Sequence, residues 1–151
     1  MSRKKAREIA LHLVFEMGFR EFQADEILTD RLDAAIMDSI GGEITLYAGK
    51  LSEQQTKYIV SVVKGVAEHL QELDALIEKN AHGWSMNRIS RMTMAVLRLA
   101  LYEMKYVEDV PVGAAINEAV ELAKTYETEE TGAFVNGILG SVGRSLAQAA
   151  K

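Results

Sequence analysis

Apolar residues recur at three- and four-residue steps along most of the chain, and the densest stretch runs from Arg88 to Lys105, RISRMTMAVLRLALYEMK. Ile89, Met92, Val96, Leu99, Ala100 and Met104 form one stripe, which Leu97 and Leu101 widen. Apolar side chains around most of a helix's circumference mean neighbours on several sides, so the pattern predicts the central helix of an all-α domain. Ser85 suits its N-cap, where a hydroxyl accepts from a free backbone N–H of the first turn.

The same periodicity predicts the other elements. Residues 3–19 place Ala6, Ile9, Ala10, Leu13 and Met17 on one stripe with Val14 beside it, and Gly18 is a stop. Residues 25–40 form a second helix with Ile27, Leu28, Leu32, Ala35 and Ile36 inward, and the glycine-paired segment 41–50, GGEITLYAGK, reads as a loop. Ser52 and Gln55 make a capping-box pattern that opens a third helix. Its stripe, Ile59, Val62, Val63, Val66, Leu70, Leu73 and Ile77, runs on to about Asn80. Gly65 inside it marks either close packing or a bend or break.

The link 108–111 contains the only proline, Pro111, which suits a helix start because its missing N–H has no bond to lose. Residues 112–126 turn Ala115, Ile116, Ala119, Val120, Leu122 and Ala123 inward. Thr128 caps a last helix, with Glu129 and Glu130 at the positive end of its dipole. That helix presents Phe134, Val135, Ile138, Leu139, Val142 and Leu146. Gly137, Gly140 and Gly143 step by three and predict a seam where another helix comes close; the strand and flanking pattern of a phosphate loop are missing. Asn117, Glu118 and Asn136 read as polar side chains that satisfy helix ends or links, since an unpaired buried amide is costly. The sequence shows no strand pattern and no repeat. The expectation is a compact all-α bundle of about six or seven helices in one domain, residues 1–151.

Composition narrows the class. A hydrophobic share of 48% in 151 residues supplies a real core, and the absence of cysteine excludes disulfides, zinc thiolates and a thiol nucleophile. The sequence has no apolar run of bilayer length and no signal-peptide core in MSRKKAREIA, so the expectation is a soluble, cytoplasmic protein. Net charge is −5, against a non-specific nucleic-acid binder. Yet Arg3, Lys4, Lys5 and Arg7 all precede the first acid, Glu8. Cations at a helix start oppose its dipole at a few tenths of a kcal/mol each. Such a patch fits either a small directed anionic contact or a solvated chain end.

Catalytic patterns are missing. His12, His69 and His82 are scattered without metal-ligand spacing. Gly49-Lys50 lacks the residues a Walker loop requires, and Ser141 has the wrong spacing for a nucleophile elbow. The chain reads as a non-enzyme with no cofactor and no metal site.

In order and spacing, SRKKAREIALHLVF, WSMNRISRMTMAVLRLALYE, DVPVGAAINEAVELAKTY and FVNGILGSV make the chain similar to the bacterial transcription antitermination factor NusB family. Residues 20–80 agree only in helical character. The resemblance implies an all-helical, non-enzymatic protein that binds a small-subunit ribosomal protein acting as NusE. The pair would hold boxA-type single-stranded RNA within the transcription elongation complex, notably on ribosomal RNA operons. It also implies the RNA-facing residues: Arg3, Lys4, Lys5 and Arg7 in the family's basic start, Phe15 and Phe134 at aromatic positions, and Glu130 at an acidic one. Thr93 stands where members often carry an acid and Ala133 where some carry lysine, so sequence preference is open. A homodimer hiding the RNA face is also open. Two alternatives remain: a helical adaptor without RNA binding, and a relative of the N-terminal domain of ribosomal RNA (cytosine-5) methyltransferases, whose cofactor-binding region these residues do not include.

Overall fold

A computed structural model describes residues 3–17, 52–81 and 89–149. The predicted helix over 25–40, the loop over 41–50 and the Ser85 cap lie outside the described residues. Among the described residues, six α-helices follow in chain order: α1 Arg3–Met17, α2 Glu53–Glu68, α3 Leu70–Asn80, α4 Arg91–Tyr106, α5 Val112–Tyr126 and α6 Glu129–Ala149. Among the described residues every regular element is helical, as the apolar period predicts. The backbone contacts divide into two units at Glu68 and His69, and each is described by itself.

In the first unit α1 packs against α2. Ala6, Ile9, Ala10, Leu13 and Val14 are fully buried as their spacing predicts, and Leu11 joins them. The start of α2 is a reciprocal capping box: the Gln55 N–H donates to Ser52 Oγ at 3.0 Å and the Ser52 N–H donates to Gln55 Oε1 at 2.9 Å. Ile59, Val62, Val63 and Val66 carry its buried stripe.

The third predicted helix is two helices. The break falls at His69, where φ −108° and ψ 19° leave the helical region, and Gly65 lies buried inside α2. The stripe continues across the break through Leu70, Leu73 and Ile77, so periodicity cannot register it. The His69 carbonyl accepts from the Leu73 N–H at 2.9 Å and starts α3.

In the second unit α4 is central, in contact with α3, α5 and α6, while α5 and α6 share the broadest contact. Every residue from Thr93 to Leu101 is buried, which is what an apolar circumference requires. Leu97, Leu99 and Leu101 each contribute about 1.5–3 kcal/mol by leaving water. Ser90 is the N-cap of α4: its Oγ accepts from the Thr93 N–H at 3.0 Å. Pro111 precedes α5, and Thr128 caps α6 by accepting from the Thr131 N–H at 3.0 Å.

The glycine row is a seam at one position only. A Cβ at Gly143 would stand 3.4 Å from Val112 Cγ1 and 3.5 Å from Ile116 Cδ1 on α5, whereas one at Gly137 would meet nothing within 4 Å. Asn117 and Asn136 are not buried and do not fill buried links. Each sits one 100° step beyond an inward neighbour, Ile116 or Val135, and that step carries it toward solvent.

Candidate nucleic-acid interface

The residues that resemblance implies fall in both units. In the first, α1 begins with cations and has no acid in its first turn to favour its dipole. Lys4 is exposed and Lys5 partly so, but Arg7 is only 6% exposed and has partners within the protein. The Arg7 guanidinium is therefore engaged within the protein. Phe15 is 36% exposed. Eleven residues separate Lys4 from Phe15, about 20° around a helix and roughly 16 Å along it, so the two share one outer stripe. His12 is half-buried, and loss of solvent pushes its imidazole pKa down while nearby Glu8 pulls the other way.

In the second unit α4 and α6 bring Thr93, Glu130 and Phe134 together around a cleft of about 270 Å³, with Ser90, Glu127 and Thr131. The local sequence explains this clustering. Ser90 caps α4, and its hydroxyl also meets the Glu127 carboxylate just after α5, tying two helix ends together. Thr128 and Thr131 close the first turn of α6, so Glu130 lies on that turn and Phe134 one turn further on the same side. Thr93 is 4% exposed, and its Oγ1 lies 2.9 Å from Ser90 Oγ, so this position is a satisfied polar wall, not a projecting contact.

Chemically the cleft offers an aromatic face, hydroxyls and two carboxylates. Carboxylates repel phosphate and accept from base amino and imino groups, while an aromatic face stacks on any base. Ser90, Thr131 and Glu127 escape attention in the sequence because their roles depend on three helix ends meeting. Ser90 alone left a signal, a hydroxyl immediately before the apolar run. Among the described residues there is no group of three or more His, Asp or Glu able to hold a metal, and no helix long and apolar enough to cross a membrane.

The sequence matches the NusB family model over residues 4–144. It is 42% identical over 142 residues to the transcription antitermination protein NusB of Acetivibrio thermocellus, covering 94% of this chain and 88% of that one. The structure resembles that of T. maritima NusB with a TM-score of 0.75 and 31% identity, covering 95% and 92% of the two chains. It shares its fold, at a TM-score of 0.73 and 23% identity, with a chain from a complex of antitermination factors NusB and NusE with double-stranded RNA, over 95% and 96% of the chains. A family match across nearly all of the sequence, joined to the same all-helical architecture, makes this chain a member of the NusB family of transcription antitermination proteins.

Proposed function

We propose that this non-enzymatic antitermination factor works by holding boxA-type single-stranded RNA jointly with a small-subunit ribosomal protein of the NusE kind. It would do so in the cytoplasm, within the transcription elongation complex, with residues 1–151 acting as one module. The observation that carries the reading is the cleft around Phe134, an aromatic wall surrounded by hydroxyls and carboxylates. Such a surface suits unstacked bases, whose faces and edges a duplex hides. The cations Lys4 and Lys5 on α1 suit the phosphates. The structural relative held with NusE and double-stranded RNA supports both partner classes, and the single-stranded form is the reading favoured by the cleft.

The test is fluorescence anisotropy with labelled boxA-type RNA and a scrambled strand, each with and without the ribosomal protein. The boxA-type strand should bind more tightly, most clearly with the ribosomal protein present. Phe134→Ala should cost about 1–3 kcal/mol of RNA binding, roughly 5- to 150-fold. Equal affinity for both strands in the presence of the ribosomal protein defeats the reading and leaves a protein-binding adaptor.

A further inference from the structure

Phe134 is a wall of two clefts, not one. The second, about 390 Å³, is lined by Asn80, Phe134, Gly137, Ser141 and Arg144 among others, a volume within the ~300–1,000 Å³ range of small-ligand sites. Its floor is open, because a Cβ at Gly137 would meet nothing within 4 Å. Its polar groups are held in place. The Ser141 hydroxyl donates to Asn80 Oδ1 at 2.7 Å, and Asn80 Nδ2 donates to the Leu76 carbonyl at 2.8 Å. That leaves one amide N–H of Asn80 and lone pairs on both side chains for a ligand.

Arg144 supplies the charge. Its Nη1 lies 3.5 Å from where a Gly140 Cβ would be, so the guanidinium folds back along α6 toward its N-terminus. Among the described residues no carboxylate pairs with it. The first cleft carries two carboxylates and the second a guanidinium, so charge changes sign across one aromatic ring.

We infer that the second cleft is a nucleotide subsite: it takes the base next in the strand to the one in the first cleft, with Phe134 between them and Arg144 on the adjoining phosphate. The inference rests on the RNA reading above and deepens it. A base fits because the missing side chain at Gly137 allows close approach, while Asn80 and Ser141 present both a donor and acceptors to a base edge. The phosphate goes to this side because the Glu127 and Glu130 carboxylates repel it on the other.

The test is binding of boxA-type single-stranded RNA to the full chain and to Gly137→Leu and Arg144→Gln, across a salt series and with the ribosomal protein present. Leucine at 137 enters the cleft from an open position and improves helix propensity, so thermal stability should hold or rise. It should weaken RNA binding at least tenfold while leaving capture of the ribosomal protein unchanged. Arg144→Gln should lower the magnitude of the salt slope by about 0.7, the value for one phosphate contact on a single strand, and Arg144→Lys should restore it. If the parent binds and both variants match it in affinity and slope, the subsite is refuted while the RNA reading stands. If the parent itself ignores RNA, the RNA reading falls and the subsite with it.

Discussion

Arg98 and Asp74 meet in a two-point bond, Nε to Oδ1 at 2.7 Å and Nη2 to Oδ2 at 2.9 Å, that fastens α4 to α3. The Arg98 side chain is 2% exposed and that of Asp74 31%. Removing the acid strands a buried cation, which costs about 3–5 kcal/mol for a fully enclosed pair. The partial exposure of Asp74 and the further interactions of Arg98 reduce that cost. Asp74→Ala should therefore lose about 2–3 kcal/mol, a fall of roughly 5–10 °C in Tm for a chain of this size. Arg98→Met should cost less, because it leaves no buried charge and its former partner reaches water. Thermal melts of the two variants check the order, and equal losses would contradict it.

The cations of α1 separate by burial. Lys4→Ala with Lys5→Ala should lower Tm less than Arg7→Ala does, both side chains being more exposed, and should lower the magnitude of the RNA salt slope by up to about 0.7 for each phosphate no longer neutralised. Arg7→Ala should lower Tm, since its buried guanidinium is engaged within the protein. Paired melts and salt titrations of the three changes distinguish a phosphate contact from a structural cation. A stable Arg7→Ala protein with a flattened slope would reverse the assignment.

A surface cluster predicts a pH dependence. Glu72 accepts from Lys105 Nζ at 2.8 Å and from the Tyr106 hydroxyl at 2.6 Å, and His69 stacks on Tyr106 with ring centroids 4.4 Å apart. The Lys105 bond first and the Tyr106 bond second hold the Glu72 carboxyl below its ordinary 4.5. A depressed carboxyl adds stability that is complete above its unfolded value and disappears as pH falls through the folded one. The stability difference between parent and Glu72→Gln should thus be constant between about pH 4.5 and the alkaline limb of Tyr106, and shrink below pH 4.5. The same bond raises the Tyr106 phenol above 10.0, so its contribution is full below pH 10 and lost as pH climbs through the raised value. Denaturant titrations across pH measure both limbs, and a Glu72→Gln difference that grows in acid would rule the arrangement out.

One cap and two glycines offer local checks. Ser90→Ala removes the α4 cap and its link to Glu127, and should cost about 1 kcal/mol. Gly137→Ala should gain about 0.5–1 kcal/mol, because its site on α6 is open. Gly143→Ala should gain at least as much, since Val112 and Ile116 stand at ordinary contact distance from the new methyl and pack against it. Thermal melts of the three variants measure these differences. A loss of stability at Gly143 with a gain at Gly137 would show the seam tighter than these distances allow.

Most of the architecture is written in the spacing of apolar residues. The inward faces of α1, α2, α4 and α6, the capping box at Ser52 and Gln55, and the Thr128 cap are all local consequences of three- and four-residue steps and short-range hydrogen bonds. The family, too, is legible, because its motifs lie within contiguous stretches. Charged and polar positions behave differently. Arg7 and Arg98 look like surface cations along their own helices, and their burial depends on packing; Arg98's partner Asp74 lies 24 residues away on another helix. The break at His69 is equally hidden, since apolar order continues through it. Likewise Phe134 follows the apolar period as a core aromatic and only the family resemblance marks it as RNA-facing, while Ser90, Glu127 and Asn80 gain their roles only where helix ends converge. Periodicity fixes which face of a helix avoids water, because that depends on neighbours three and four residues away. Which polar group is satisfied, buried or left facing a cleft depends on atoms far along the chain, and folding alone brings those together.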